Sequence, residues 1–341
     1  MRRASAALFW LLAFVGTLVA LHVAARPDPL TSGRDILHQK MAELRSRSDR
    51  LDIVFVGNSH VYRSLNIQVF EAELSALGCP ASAYNLGVQA LTIYEQRAAL
   101  AALEDLPGGP PRHVVLGPTF RARPQFDDLN DISVSAFYRL PDVPVLLDRW
   151  VTTEKLQGRR LLEAAYVYAA AQMPRGALHH RWWDERLELR SEPQFTAAVT
   201  TDGYLSLEAE TLDRPETAAR RATIDDFVES GGFARAIDPE RVVAPVDPVS
   251  LEQLRARLDG VGSSRPVLLL QPTVFHREMQ LLQDAWDEEV PLVNLARPDQ
   301  VPALLEPQSW FDRTHVTEAV AVEVSRLAAQ QICPILDEGA S

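Results

Sequence analysis

One short stretch, residues 52–63, constrains the fold of this chain more than any other. It opens with an apolar run that ends at Gly57, and a polar corner of Asn58, Ser59 and His60 follows before a helical pattern begins. This order predicts a β-strand, a tight turn and a helix. In an open α/β sheet, ligands bind at such corners, where carboxyl ends of strands meet amino ends of helices. Ser59 is therefore either the N-cap of the helix or a nucleophile that faces a ligand.

A second motif, near the other end of the chain, supports the nucleophile interpretation. Asp312 and His315 stand three residues apart on a segment that precedes a final amphipathic helix. With this spacing the carboxylate can hold one imidazole nitrogen, which leaves the other free to take a proton from a hydroxyl. Ser59, His315 and Asp312 are thus predicted to converge as a catalytic triad.

Strands and helices alternate along much of the chain. Strands are predicted at residues 51–57, 81–86, 113–116, 266–270 and 291–295, and helices at residues 64–77, 92–106, 276–288 and 316–332. This alternation predicts a five-stranded, parallel, flavodoxin-like sheet in a three-layer α/β/α sandwich.

The predicted α/β domain is split along the chain. It comprises residues 51–119 and 265–335. The segment between them, residues 120–264, is too long for a structureless loop, so it is predicted to be an inserted cap or subdomain over the site. Residues 28–50, which are polar with a helical pattern, are predicted to form a juxtamembrane helix or linker.

The amino-terminal residues 1–27 carry an export signal of some kind. Arg2 and Arg3 precede an apolar run over residues 6–25, which is long enough to span a bilayer. The positive charges predict a cytoplasmic start, with the remainder on the periplasmic side of the inner membrane as a single-pass protein. A cleaved signal peptide is the alternative, because small residues at positions 23–25 suit a cleavage site. The length of the run favours the anchor.

Composition limits the classes of partner. The formal net charge of −12 argues against a nucleic-acid partner, because binding to phosphates depends on clustered cations. Cys79 and Cys333, the two cysteines of the chain, are too few for a disulfide framework or a metal cluster. They could pair in an oxidising compartment, but the sequence does not determine whether they lie within reach of each other.

The early serine and the late Asp-x-x-His pair resemble the motifs of the SGNH (GDSL-type) hydrolases. Ser59 matches the nucleophile of the first block, where residues 57–60 read Gly-Asn-Ser-His instead of Gly-Asp-Ser-Leu. Asp312 and His315 match the pair of the fifth block. Gly87 matches the glycine of the second block, and the resemblance implies that its N–H and that of Ser59 hold the oxyanion. It implies no metal and no organic cofactor.

The chain departs from the family pattern at the third block. Residues 117–120 read Gly-Pro-Thr-Phe where the family has Gly-x-Asn-Asp, so the asparagine expected in the oxyanion hole is absent. Loss of one such donor typically costs about 2.7–4 kcal/mol of transition-state stabilisation. Asn58, Asn85 or Thr119 could supply a replacement donor, or the protein is slow or inactive.

A narrower resemblance is to the exported, membrane-anchored branch that includes the D-alanine transfer protein and the alginate O-acetylation proteins. It depends on the anchor, the Gly-x-Ser corner, residues 84–87 (Tyr-Asn-Leu-Gly) and residues 310–312 (Trp-Phe-Asp). The resemblance implies a serine esterase or O-acyltransferase that acts on acyl groups, expected to be acetyl, of an envelope polysaccharide or glycolipid. It also implies work beside a membrane-bound O-acyltransferase. The alternative is an inactive accessory that binds glycan or docks such an acyltransferase.

Three further residues are candidates for substrate contact. Tyr62 and Arg63 lie one helical turn beyond the corner, and His276 follows the fourth predicted strand on the ligand-facing edge of the sheet. Residues such as Tyr62 and Arg63 more often face solvent or an insertion. His60, although next to Ser59, is predicted to serve packing or the surface rather than catalysis.

Overall fold

A computed structural model describes residues 35–89, 91–118, 202–211, 215–244, 246, 248–286 and 290–337. The predicted membrane anchor, Thr119 and the first part of the insertion lie outside the described residues. Within the described ranges, no helix combines the length and the apolar character that crossing a bilayer requires.

A five-stranded parallel sheet forms the centre of the fold, as the alternating pattern predicted. Its strands, in chain order, are β1 (Ile53–Gly57), β2 (Ala83–Gly87), β3 (His113–Leu116), β4 (Arg265–Leu270) and β5 (Leu292–Asn294). In space their order is β2-β1-β3-β4-β5. Strand order therefore reverses beside β1, and such a switch point is where doubly wound sheets bind ligands.

Helices connect and flank these strands. In chain order they are α1 (Asp35–Ser46), α2 (Ser59–Ser64), α3 (Ile67–Ala76), α4 (Ile93–Leu103), α5 (Leu207–Thr211), α6 (Pro215–Glu229), α7 (Gly232–Ile237), α8 (Pro248–Asp259), α9 (His276–Asp284) and α10 (Glu318–Asp337). Two 3₁₀ turns, Pro302–Leu305 and Pro307–Ser309, precede α10. The helix predicted over residues 64–77 is thus α3, which begins later because Asn66 caps it by accepting a hydrogen bond from Val69 N–H. Helix α2 lies before it, where the sequence predicted only a polar corner.

The main core lies between one face of the sheet and helices α3 and α10. Helix α10 buries Val320, Val324, Leu327 and Ala328, a spacing that places them on one helical face. These residues belong to the same buried cluster as Phe55 of β1. All residues of β1, β2 and β3 are buried, so both faces of the central sheet are covered.

A disulfide between Cys79 and Cys333 ties the end of α10 to the loop after α3. The Cα atoms of the two residues are 5.8 Å apart, although 254 positions separate them in sequence. The crosslink therefore joins the first βα unit to the last helix, the two parts of the chain that carry Ser59 and His315.

A buried lysine holds α1 against the carboxyl end of β2. Lys40 is fully buried, and its Nζ donates to the carbonyl oxygens of Asn85 at 2.9 Å, Gly87 at 2.6 Å and Gly203 at 2.6 Å. Burial and the charge of Arg63 lower the pKa of Lys40. Three carbonyl acceptors nevertheless match the three N–H groups of an ammonium ion, and a neutral amine would leave one acceptor unpaired.

The described part of the insertion belongs to the same compact unit as the sheet. That unit contains the described residues from 39 onward, including α5, α6, α7 and α8. Of the other compact unit, the structure describes only residues 35–38. The predicted domain division at residues 120 and 264 stays a prediction.

Candidate active site

The corner after β1 presents Ser59 at the start of a helix. Asn58, not Ser59, is the N-cap of α2: its side-chain Oδ1 accepts a hydrogen bond from His60 N–H at 3.0 Å. Ser59 is then the first helical residue, and its hydroxyl is not used for capping. Gly57 is required before this turn, because a Cβ at that position would lie 2.9 Å from Val61 Cβ.

Ser59, His315 and Asp312 come together in one hydrogen-bonded chain. Ser59 Oγ lies 2.8 Å from His315 Nε2, and His315 Nδ1 lies 2.9 Å from both carboxylate oxygens of Asp312. Since Nδ1 donates to the carboxylate, Nε2 carries the lone pair that faces the serine hydroxyl. His315 and Asp312 are both buried, so the interaction takes place away from bulk water.

The local sequence around Asp312 fixes its carboxylate. Oδ1 accepts hydrogen bonds from the main-chain N–H groups of Thr314 at 2.8 Å and His315 at 2.9 Å, and from the Thr314 hydroxyl at 2.9 Å. The loop is closed by Phe311 N–H, which donates to the His315 carbonyl at 2.8 Å. The Asp-x-x-His spacing therefore folds the carboxylate back onto the imidazole as the sequence predicted.

Arg220 is a part of this site that the sequence reasoning missed. It projects from α6, in the inserted segment, and its Nε lies 2.7 Å from Asp312 Oδ2. A second guanidinium nitrogen, Nη2, lies 3.3 Å from His315 Nδ1. In sequence, Arg220 and Arg221 are adjacent on a helix rich in charge, a pattern typical of a solvated helix face. Nothing local to that helix distinguishes the arginine that reaches the triad.

The surroundings keep Asp312 ionised. Burial is the largest single influence and would raise its pKa, but several groups together outweigh it. The hydrogen bond and charge of His315, the Thr314 N–H and the guanidinium of Arg220 hold the pKa of Asp312 well below its usual range. A permanently charged carboxylate can stabilise the imidazolium that forms when His315 takes a proton.

His60 lies directly against the imidazole of His315. The two rings are stacked, with centroids 5.2 Å apart and an interplanar angle of 28°. Burial, and then the charge of His315, lower the pKa of His60 to about 4, so its ring is neutral at neutral pH. The sequence predicted a packing or surface role for His60. In the structure its ring packs against His315, the candidate base.

Two of the predicted oxyanion donors are already used inside the fold. Gly87 N–H donates to Asn85 Oδ1 at 2.9 Å. The Asn85 side-chain nitrogen donates to the carbonyl oxygens of Val61 and Leu65, each at 2.9 Å. Asn85 therefore links the end of β2 to the backbone around α2, and neither its amide nor the Gly87 N–H is directed to an incoming carbonyl in this arrangement.

Other candidate donors remain beside the hydroxyl. The N–H of Ser59 belongs to the first turn of α2, where main-chain N–H groups have no partner within the helix. Asn58 uses its Oδ1 as the cap, which leaves its Nδ2 as a donor. Thr119 lies outside the described residues.

The predicted substrate contacts Tyr62 and Arg63 lie in the interior. Tyr62 is 1% exposed, and Lys40 Nζ lies 3.7 Å and Arg63 Cζ 4.1 Å from the centroid of its ring. Arg63 is 3% exposed and donates to the Leu205 carbonyl at 2.9 Å. These contacts bind α1 and the insertion to α2, so both side chains have structural roles, and substrate contact by them stays a prediction.

His276 is the first residue of α9, where it is half-buried and its pKa is lowered by burial, and substrate contact by it stays a prediction. Within the described ranges, no cluster of three or more His, Cys, Asp or Glu side chains could hold a metal ion.

No protein-family model, curated protein or solved structure matches this chain. The arrangement itself can support one chemistry, in which a serine hydroxyl loses its proton to an imidazole held by a carboxylate.

Proposed function

We propose that this protein is an exported serine esterase or O-acyltransferase of the SGNH type, built on a three-layer α/β/α sandwich. One observation carries the proposal: Ser59 Oγ, the His315 ring and the Asp312 carboxylate form a continuous chain with contacts of 2.8 Å and 2.9 Å. The serine and the pair come from opposite ends of the polypeptide, 256 positions apart. Core packing has no need of such an alignment, and nucleophilic catalysis requires it.

In the proposed mechanism, His315 Nε2 takes the proton of Ser59 as the oxygen attacks an acyl carbonyl. Asp312 holds the imidazole through Nδ1 and stabilises its charged form. Collapse of the tetrahedral intermediate expels the alcohol, which receives the proton from His315, and leaves the acyl group on Ser59. A sugar hydroxyl or water then attacks this ester by the same route in reverse.

The oxyanion is assigned to Ser59 N–H and Asn58 Nδ2. Because Gly87 N–H is bonded to Asn85, the usual second-block donor is engaged elsewhere, and Asn58 adjoins the nucleophile and carries a side-chain N–H group in addition to its capping oxygen. A site with one weak or missing donor would be slower by the equivalent of about 3 kcal/mol, or roughly a hundredfold.

The cellular setting is proposed from the sequence and the crosslink. A disulfide between Cys79 and Cys333 suits an oxidising compartment and hence the periplasmic side of the inner membrane, with residues 1–27 as the anchor. We propose an envelope polysaccharide or glycolipid as acyl donor or acceptor, and a membrane-bound O-acyltransferase as partner.

A second candidate is an inactive accessory that binds glycan or docks an acyltransferase. The engagement of Gly87 N–H and the missing third-block asparagine favour it, because both weaken the oxyanion hole.

Ester hydrolysis separates the two proposals. The full-length protein is expected to cleave p-nitrophenyl butyrate, and Ser59→Ala is expected to lower kcat by at least about 10⁴-fold. Ser75→Ala, which removes an exposed hydroxyl of α3, is the matched control and should leave the rate unchanged. Equal rates in Ser59→Ala and the parent would favour the accessory.

A further inference from the structure

A cavity of about 390 Å³ opens beside the proposed nucleophile. Asn58 and His60, the residues on either side of Ser59 in the chain, both line it, and the His60 ring that lines it is stacked on His315. Ser59, Asp312 and His315 are not themselves among the lining residues, so the cavity adjoins the triad through Asn58 and His60. Its volume lies within the usual range for small-molecule sites.

The lining of this cavity is largely apolar. Its apolar side chains come from two parts of the chain. Helix α9 and the residue before it contribute Phe275, Met279, Leu281 and Leu282, and the segment before α8 contributes Val243 and Val246. A sugar ring would place its hydroxyl groups against these side chains, and each unpaired hydroxyl would carry a desolvation cost. A hydrocarbon chain gains free energy on the same surface.

Most polar side chains around the cavity already make hydrogen bonds within the protein. Asn58 Oδ1 caps α2, Gln271 Nε2 donates to the Pro118 carbonyl at 3.2 Å, and Thr273 Oγ1 accepts from Phe275 N–H at 3.1 Å.

Glu278 completes this polar set. Its Oε1 pairs with Arg241 at 2.7 Å. Its other carboxylate oxygen lacks a hydrogen-bond partner among the described residues, but it is enclosed by protein atoms. The side-chain groups that remain to contact a ligand in this cavity are therefore mainly apolar.

We infer that this cavity binds the acyl chain of the substrate, and that the chain is a linear alkyl group of medium length instead of acetyl. The inference rests on the proposed function for the identity of the bond that is cleaved, and on the cavity for the size of the acyl group. A CH₂ group is similar in size to a water molecule, which takes roughly 30 Å³ in the liquid, so an acetyl methyl would fill only a small part of 390 Å³. A chain of about four to eight carbons would occupy the apolar surface.

Ligand binding tests the cavity without any need for catalysis. The full-length protein in lipid nanodiscs is titrated with butyrate and octanoate by calorimetry, with empty nanodiscs as the blank. Each added methylene should tighten binding about fourfold, so octanoate, with four more methylenes, should bind roughly 250-fold more tightly than butyrate. Equal affinities would overturn the inference.

Obstruction of the cavity provides the matched pair of variants. Ala244 lines the cavity and is exposed, so Ala244→Trp introduces a large side chain at its edge without opening the core. Val242, two residues earlier and 96% exposed, does not line it, so Val242→Trp is the control. Ala244→Trp should weaken octanoate binding at least tenfold, and Val242→Trp should match the parent. Met279→Trp, from α9, is a second obstruction with the same expected result.

Ester kinetics then separate failure of this inference from failure of the proposed function. The ratio of kcat/KM for p-nitrophenyl octanoate to that for the acetate should exceed one and fall at least tenfold in Ala244→Trp. Ser59-dependent cleavage that is fastest for acetate, with no effect of Ala244→Trp, would overturn the inference and leave the serine esterase intact. Tight octanoate binding that Ala244→Trp removes, without any Ser59-dependent cleavage, would support the cavity and contradict the esterase.

Discussion

Arg220 offers the most revealing perturbation, because it couples the inserted segment to the proposed catalytic pair. The change is Arg220→Gln, which removes the guanidinium and keeps a polar side chain. Its Nε is 2.7 Å from Asp312 Oδ2, and its Nη2 is 3.3 Å from His315 Nδ1. Arg221→Gln is the matched control, since it makes the same charge change one residue further along α6.

The expected effect on the rate follows from the first of these distances. Arg220→Gln removes a charged hydrogen bond from the Asp312 carboxylate, which itself holds the His315 ring through Nδ1. kcat for p-nitrophenyl butyrate should therefore fall in Arg220→Gln and stay unchanged in Arg221→Gln. The loss should stay within about tenfold, since the contact between Ser59 and His315 is untouched, against about 10⁴-fold for Asp312→Asn.

Stability should change in a pH-dependent manner as well. A charged hydrogen bond contributes about 1.5–3 kcal/mol. The Arg220 side chain is 32% exposed, and solvent screening reduces the expected loss in unfolding free energy to about 1–2 kcal/mol. Because the folded-state pKa of Asp312 is lowered, its contribution is complete above the unfolded value near 3.9 and disappears as pH falls through the folded value. The difference between parent and Arg220→Gln should thus be full at pH 7 and narrow only as pH falls well below 4, toward the lowered folded-state pKa of Asp312.

Steady-state kinetics at pH 7 and urea unfolding at pH 7 and pH 2 measure both effects. A kcat that is identical in Arg220→Gln and the parent, with an unchanged midpoint of unfolding, would refute the coupling between Arg220 and the Asp312–His315 pair. Arg220→Lys, which restores the charge without the planar fork, should recover most of kcat but only part of the stability.

Three further outcomes are expected. The double variant Cys79→Ser with Cys333→Ser, followed by urea unfolding, should lose about 2–5 kcal/mol, because the crosslink closes a segment with a separation of 254 residues; a loss below about 0.5 kcal/mol would contradict this. Lys40→Met should lose about 3–5 kcal/mol by the same assay, since three buried carbonyl acceptors lose their shared donor, whereas Gln39→Met on the exposed side of α1 should change stability by less than about 0.5 kcal/mol. Asn58→Ala should lower kcat for p-nitrophenyl butyrate roughly a hundredfold if Nδ2 holds the oxyanion; a decrease in melting temperature with kcat unchanged would assign it to capping alone.

Much of the fold follows from local pattern. The alternation of short apolar strands with helical segments predicts a parallel five-stranded sheet, and this prediction is confirmed. The boundaries were less well predicted, because they depend on single side chains. Asn66 caps α3 with its side chain, so this helix begins at residue 67 and not at residue 64. Asn58 caps α2, a short helix that begins within the predicted polar corner.

The site divides in the same way between local and long-range determinants. Ser59, Asp312 and His315 could be named because each stands in a short motif whose spacing has a direct chemical meaning. Arg220 could not, since its role depends on how the insertion packs against the loop that contains Asp312, and its own helix has no distinctive pattern.

The hydrogen bonds of Asn85 and Gly87 could not be predicted from the sequence either. Asn85 was a candidate oxyanion donor by residue type alone. Its hydrogen bonds show that it instead joins β2 to the backbone around α2 and occupies the Gly87 N–H. A polar side chain two residues from a glycine carries no signal of that geometry.

Covalent labelling tests the central proposal most directly. The full-length protein is treated with a fluorophosphonate, digested and mapped by mass spectrometry, with Ser59→Ala, His315→Gln and Ser75→Ala treated in parallel. The account predicts one adduct on Ser59 in the parent and in Ser75→Ala, none in Ser59→Ala, and labelling slowed at least a thousandfold in His315→Gln. A folded parent that acquires no adduct, or one modified equally well without the hydroxyl of residue 59, would contradict it.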